Sequence, residues 1–153
     1  MKAKTTIVLF ALFTLLSMAI YFLINPSYEK SIKAKYYFEV GNYKEAYTLA
    51  QESFSLDVYN RMASTIMAQS KTALKYFNYN EMARKYTQDI DEIALHEDIS
   101  NADRAKIRMI CEIMLSSYTK LAPSVITDIK LVNESSVYNK KFEKLLEKVN
   151  RQK

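Results

Sequence analysis

The segment Tyr36-Tyr37-Phe38-Glu39-Val40-Gly41-Asn42-Tyr43-Lys44-Glu45-Ala46 decides the fold of this 153-residue chain, because it holds the only glycine. The residues on both sides of Gly41 follow the spacing of amphipathic helices. A glycine just after a helix adopts a positive φ without steric cost and closes the last turn. Asn42 is a good N-cap for a following helix, because its side chain accepts a hydrogen bond from a free backbone amide. The segment therefore predicts two helices joined by a tight turn.

The composition predicts an all-α protein that carries no chemistry of its own. Only one glycine and two prolines occur, and 49% of the residues are hydrophobic without the alternation typical of strands. The single cysteine, Cys111, excludes an internal disulfide. One histidine, one cysteine and one glycine leave no material for a catalytic triad, a common zinc site or a glycine-rich phosphate loop. We therefore expect no enzyme activity, no cofactor and no metal ion.

A run of twenty residues without a charge, Thr5–Ile24, predicts a membrane anchor. As a helix it is about 30 Å long, which matches the hydrocarbon core of a bilayer, and Pro26 ends it. We predict an uncleaved transmembrane signal-anchor over residues 1–26, in a bacterial-type inner or plasma membrane. A cleaved signal peptide is the alternative, because Ser17-Met18-Ala19 has the spacing of a cleavage site. Lysines flank both ends in nearly equal number, and their count alone slightly favours a cytoplasmic C-terminal domain. The short basic N-terminus before a signal-like segment favours the opposite orientation, with the C-terminal domain outside the cytoplasm, which we adopt.

The segment around Gly41 resembles a tetratricopeptide (TPR) repeat. The resemblance rests on the pair Tyr36-Tyr37, on Gly41 followed by Asn42-Tyr43-Lys44-Glu45-Ala46, and on Leu56-Asp57. It covers residues 34–60, and a degenerate second unit continues to residue 94, where Ala68 matches a small position but the glycine is missing. The resemblance implies a domain over residues 27–153 with about six antiparallel helices after the anchor, arranged as α-solenoid-like hairpins.

Apolar periodicity and capping residues predict where these helices lie. The first helix places Ile32, Tyr36, Tyr37 and Val40 on its apolar face, with Ser27 as its N-cap. The second helix groups Tyr43, Ala46, Tyr47, Ala50 and Phe54. Asp57 or Asn60 caps a third helix, and the asparagines of Tyr76–Asn80 predict a loop before a fourth. Ser100 and Asp103 begin a further helix that Pro123 ends, with Cys111 as a small buried hydrophobe on its apolar stripe.

The last predicted helix carries a heptad seam. Its apolar positions recur at intervals of four and three residues: Leu131, Ser135, Tyr138, Phe142, Leu145 and Val149. The favoured interpretation is a capping helix that packs onto the preceding hairpin, because the end of a helical stack needs a cover. The alternative is self-association, which would make the chain a membrane-bound homodimer.

The TPR resemblance implies a groove for a protein partner. Its positions correspond to Lys35, Phe38 and Glu39 in the first unit and to Gln69, Thr72 and Ala73 in the second. We expect a membrane-anchored adaptor or scaffold at the cell envelope. Besides self-association, a third hypothesis is an electrostatic lipid-surface module, in which Lys30, Lys33, Lys35 and the segment Lys140–Lys153 bind anionic head groups. We expect no binding of nucleic acid, because the aromatic residues follow the spacing of a helix core.

Overall fold

The computed structural model describes residues 2–96, 98–123 and 127–151, and all regular structure within these ranges is helical. The all-α prediction is therefore confirmed. The end of the predicted basic segment, residues 152–153, lies outside the described ranges. The helices are α1 (Lys2–Ile24), α2 (Pro26–Glu39), α3 (Tyr43–Leu56), α4 (Arg61–Ile93), α5 (Asn101–Tyr118) and α6 (Ile129–Arg151).

The chain divides into two compact units. The N-terminal unit comprises Met1–Lys71, and the C-terminal unit comprises Thr72–Lys153. The helix α4 contributes its first residues to the N-terminal unit and the remainder to the C-terminal unit. Each unit has a hydrophobic cluster of its own, and the two clusters differ in the size of their side chains.

The turn between α2 and α3 has the geometry that the glycine predicts. Gly41 adopts φ = 82°, a conformation that favours glycine. The Gly41 amide donates to the carbonyl of Phe38 at 3.1 Å, and the Asn42 amide donates to the carbonyl of Tyr37 at 2.9 Å. These two bonds form a Schellman motif. The Asn42 side chain then accepts from the Glu45 amide at 3.2 Å and caps α3, as predicted.

Small side chains let the helices of the N-terminal unit approach closely. Its buried cluster consists of Ala34, Ala46, Ala50 and Ile66. Beside it lies a buried polar network, in which the Asn60 amide donates to the hydroxyls of Ser27 at 2.9 Å and Ser31 at 3.2 Å. The Asn60 side-chain oxygen accepts from the Ala63 amide at 3.1 Å and caps α4. The sequence left two candidates for this N-cap, Asp57 and Asn60, and the structure selects Asn60.

The apolar face predicted for α2 is wrong except at Tyr37, which packs against the core cluster of this unit. Ile32, Tyr36 and Val40 are exposed by 48%, 63% and 57%, whereas Ser27, Ser31 and Ala34 are buried. The reason is that α3 packs onto the face of α2 that carries small side chains. Serine and alanine permit close approach there, and the serine hydroxyls form hydrogen bonds. Ser27 and Ser53 each donate to the other's backbone carbonyl, at 3.0 and 2.6 Å. Ser27 is therefore a buried contact residue, and Asn25 is the N-cap.

The helix α1 is apolar on all sides and stands free of the core. Its described side chains, from Thr5 to Tyr21 and at Ile24, are exposed. Pro26 occupies the first turn of α2, so the end predicted for the apolar segment is confirmed. Within the described residues, no single helix is long and apolar enough to cross a membrane. The pair Thr5–Tyr21 and Pro26–Glu39, bent by 78°, meets that measure by length and composition only.

The loop predicted at Tyr76–Asn80 is wrong, because α4 continues without a break through it. No glycine or proline interrupts the helix here. Asn80, one of the two asparagines that predicted a turn, is instead 2% exposed and hydrogen-bonded to α6. Its amide donates to the Leu131 carbonyl at 3.2 Å and to the Glu134 carboxylate at 3.1 Å. Tyr76 and Tyr79 are also buried, so this stretch packs as a helix face.

Large apolar side chains from α4, α5 and α6 fill the core of the C-terminal unit. Ser100 and Asp103 form the predicted capping box at the start of α5. The helix α5 ends at Tyr118, five residues before Pro123. The heptad seam of α6 packs into this same core, which confirms the packing expected for the last helix. The cluster comprises Tyr79, Ala83, Ile90, Ile93, Ile107, Ile110, Cys111, Met114 and Phe142, with Tyr138, Leu145 and Val149 packed against it.

Candidate functional site

A depression in the N-terminal unit, between α2 and the first turns of α4, is the candidate site. Its volume is about 400 Å³. The helix α2 forms one wall, and the first turns of α4 form the other. Ala34 of α2 and Ile66 of α4 belong to the same buried cluster. Its lining residues are Lys35, Glu39, Arg61, Met62, Thr65, Ile66 and Gln69.

Helical spacing explains why these side chains line one depression. Lys35 and Glu39 are four residues apart and lie on one face of α2. Along α4, Met62, Thr65 and Gln69 follow the same rule at intervals of three and four residues. The Asn60 cap fixes where α4 begins, so it also fixes which of its residues meet α2. The capping network and the site therefore depend on the same residue.

The floor of the depression is apolar and its rim is polar. Ile66 is 6% exposed and belongs to the core, while Met62 is 37% exposed and borders the opening. The rim carries two cations, Lys35 and Arg61, and one anion, Glu39. Such a combination offers burial to an apolar group and oriented polar contacts to its surroundings.

The charged groups of this rim have no partner within the described part of the chain. No hydrogen bond or ion pair there engages the side chains of Lys35, Glu39 or Arg61. Elsewhere on α2 the lysines are paired. Lys30 contacts Glu52 at 2.5 Å, and Lys33 contacts Glu29 at 2.6 Å. The Lys33 ammonium hydrogen-bonds to Glu29 and lowers the pKa of that carboxyl. The unpaired charges of α2 are thus those at the depression.

The structure brings together three of the residues that the sequence predicted as a groove. Lys35 and Glu39 of α2 and Gln69 of α4 line the same depression. Phe38 does not line it, because its ring packs against the core cluster and against Tyr43. The two ring centroids are 5.5 Å apart in an edge-to-face arrangement.

Two further groove positions are not among the residues that line the depression. Thr72 lies on α4 and is not among the lining residues. Ala73 is 1% exposed, in the C-terminal unit. Both positions were assigned on the assumption of a second TPR-like hairpin with its turn at residues 76–80. The helix α4 continues through these residues without a turn.

Sequence reasoning did not assign Arg61, Met62, Thr65 or Ile66 to the site. The usable signal was the helical spacing back from Gln69, because Thr65 precedes it by four residues and Met62 precedes Thr65 by three. The side of α4 that meets α2 follows from the Asn60 cap, and the sequence had left that cap open between Asn60 and Asp57.

The remaining chemistry-bearing side chains, Cys111 and His96, belong to the C-terminal unit and are not among the lining residues. Cys111 is buried in the C-terminal unit, and burial raises the pKa of its thiol to about 11, so it is neutral at physiological pH. His96 is exposed after the end of α4. Within the described residues, no three His, Cys, Asp or Glu side chains are grouped so as to hold a metal ion.

Comparison of the chain with protein-family models, with curated proteins and with solved structures returns no match. The chemistry of the depression is therefore the basis for assigning a function.

Proposed function

We propose that this chain is a membrane-anchored helical adaptor that binds a peptide segment of a protein partner in the depression between α2 and α4. The observation that carries the proposal is the set of unpaired charges, Lys35, Glu39 and Arg61, around an apolar floor at Ile66. An ion pair between exposed side chains adds little to the stability of a protein, so these three charges cost little stability by remaining unpaired. A rim that leaves them unpaired beside apolar surface suits an incoming peptide.

The dimensions and chemistry of the depression fit a peptide side chain with its flanking backbone. A volume of about 400 Å³ lies at the small end of typical ligand sites, which run from about 300 to 1,000 Å³. Ile66 and Met62 would contact one apolar anchor residue. Gln69 and Thr65 offer donors and acceptors to backbone groups, and the three charges select flanking residues of complementary sign.

The anchor in this proposal is α1. Its support is the uncharged run Thr5–Ile24 and the exposure of its described apolar side chains. Insertion into a bilayer would remove those side chains from water. Tethering then raises the local concentration of the depression near membrane-bound partners. The corresponding location is an inner or plasma membrane, with the helical units outside the cytoplasm.

Self-association through α6 has less support. The seam that would carry it, including Phe142 and Leu145, is packed inside the C-terminal unit. A dimer would need another face of that helix. The proposal therefore includes no homodimer through this seam.

Photo-crosslinking from the depression tests the proposal. The full chain, in its native membrane, carries a photoreactive residue at Thr65, and a matched chain carries it at Gln51, an exposed position of α3. We expect a discrete crosslinked partner from position 65 only. Lys35→Glu and Arg61→Glu should each abolish that product, since each reverses a charge on the rim.

Lys44→Glu is the control for charge, because it changes the net charge equally at an exposed site outside the depression. Circular dichroism of each variant establishes that the helices are retained. Equal crosslinking from positions 65 and 51, or a product insensitive to both rim reversals, would contradict the assignment of the depression.

A further inference from the structure

An exposed apolar stripe runs along α2. Ile32 and Tyr36 lie on the helix and Val40 forms its C-cap, with exposed fractions of 48%, 63% and 57%. The three residues recur every fourth position, so they share one face. Within the described residues this stripe packs against no core cluster. An aligned stripe differs from isolated exposed apolar side chains, which are common on any surface.

The stripe faces away from the rest of the N-terminal unit. The buried residues of α2 are Ser27, Ser31 and Ala34. At 100° per residue, this buried face and the stripe lie on opposite sides of the helix. Because α3 covers the buried face, whatever covers the stripe must approach from the side opposite to α3.

The connection to α1 determines what lies near that helix. Only Asn25 separates the last residue of α1 from Pro26. The Asn25 amide still donates to the Tyr21 carbonyl at 3.0 Å, while its side chain caps α2 at Ser27. The two helices are bent by 78° at this point. If α1 runs along the bilayer normal, α2 lies close to the membrane plane, at the depth where α1 leaves the hydrocarbon.

We propose that α2 lies in the membrane–water interface, with Ile32, Tyr36 and Val40 buried at the boundary between head groups and acyl chains. This inference rests on the anchoring of α1 in the proposed function. An interfacial helix buries an apolar face about 5–10 Å into that boundary. Tyrosine is enriched there, because its ring is apolar and its hydroxyl remains hydrated.

The charges beside the stripe fit the same arrangement. Lys33 lies next to the stripe and can keep its ammonium in the head-group layer while its alkyl stem covers apolar surface. Lys33 is paired with Glu29 at 2.6 Å, so these two residues together carry no net charge. Lys35 lies on the side of α2 that lines the depression, so the depression opens beside the interface and not into it.

Tryptophan fluorescence in lipid vesicles tests this inference, because the chain contains no tryptophan. Full-length chains with single changes Phe10→Trp, Tyr36→Trp or Gln51→Trp are reconstituted with lipids brominated either near the head group or near the chain ends. We expect Tyr36→Trp to lose most of its fluorescence to the shallow bromines. Phe10→Trp should be quenched within the hydrocarbon, and Gln51→Trp on α3 should emit as a hydrated residue with little quenching. Ile32→Trp repeats the measurement on the same stripe.

The three positions separate the possible failures. Quenching at position 10 without quenching at positions 36 and 32 would overturn the interfacial helix and leave the anchor intact. An unquenched residue at position 10 would overturn the anchor itself, and the interfacial helix with it. A blue-shifted but unquenched signal at positions 36 and 32 would assign the stripe to a protein surface and would also overturn the inference.

Discussion

The two units of this chain solve the packing of helices in different ways. The N-terminal unit buries alanines and a serine–asparagine network, so its helices approach closely and little apolar volume is enclosed. The C-terminal unit buries isoleucines, Met114 and Phe142, and its stability rests on apolar surface removed from water. The first unit thus depends on backbone positions and hydrogen bonds, and the second depends on side-chain volume.

The difference also bears on the proposed function. The N-terminal unit exposes three features that are not packed in its core: the apolar α1, the stripe on α2, and the unpaired charges at the depression. The C-terminal unit places its apolar heptad seam inside. The stripe and the unpaired charges both belong to the N-terminal unit, which is consistent with assigning the proposed binding surfaces to it.

The largest expected effect is at Phe142, which is fully buried in the C-terminal unit. Phe142→Ala should destabilise that unit by about 3–5 kcal/mol, because it leaves a cavity among packed apolar side chains. The rate at which a thiol reagent labels Cys111 reports the opening. Cys111 is the only cysteine, and burial keeps its pKa near 11, so it reacts when the unit opens.

Val137→Ala is the matched control for this prediction, since Val137 lies on α6 and is 67% exposed. It should leave the labelling of Cys111 unchanged. Equal labelling of the wild type and Phe142→Ala would show that the seam of α6 does not close the core.

The next effect distinguishes two buried asparagines, Asn60 at the N-cap of α4 and Asn80 within α4. Asn60→Ala should cost about 1–3 kcal/mol, because Ser27 and Ser31 lose their amide donor and α4 loses its cap. Hydrogen exchange of the α2 and α3 amides should then accelerate while Cys111 stays protected. Asn80→Ala should instead accelerate the labelling of Cys111 and leave the α2 and α3 amides protected. The reason is that the hydrogen-bond partners of Asn80 lie on α6.

Asn78→Ala is the control for both changes, because Asn78 is an exposed asparagine of the same helix. Either buried substitution could accelerate both the exchange of the α2 and α3 amides and the labelling of Cys111 by the same factor. The two units would then unfold together, and the difference between their cores would not give them separate stabilities.

Local signals in the sequence predicted local structure well. Gly41, Asn42 and the Ser100–Asp103 capping box act within a few residues of themselves, so their geometry is independent of distant partners. The buried face of α2 could not be predicted this way. Apolarity favours burying Ile32, and only contact with α3 gives Ser27 and Ser31 partners that make their burial favourable.

The same reason explains the errors at α4 and at the site. Asn80 resembles a turn residue until α6 supplies its hydrogen bonds. Lys35 and Gln69 were placed together by the TPR resemblance, and they line one depression. Arg61 was missed because its position depends on where α4 begins. The use of these residues for partner binding stays a prediction.

The smallest of these effects is expected at Gly41, where the turn of the N-terminal unit is fixed by backbone conformation alone. A side chain there would meet no heavy atom within 4 Å, so a substitution meets no steric clash across the turn. Gly41→Val should nevertheless cost about 1–2 kcal/mol, because a residue with a Cβ resists the left-handed conformation. Gly41→Asn should cost less, since asparagine tolerates that conformation. Hydrogen exchange of the Gly41 and Asn42 amides, which close the Schellman motif, measures the loss directly. Equal protection in the valine and asparagine variants would show that the helices of this unit hold the turn without help from its φ angle.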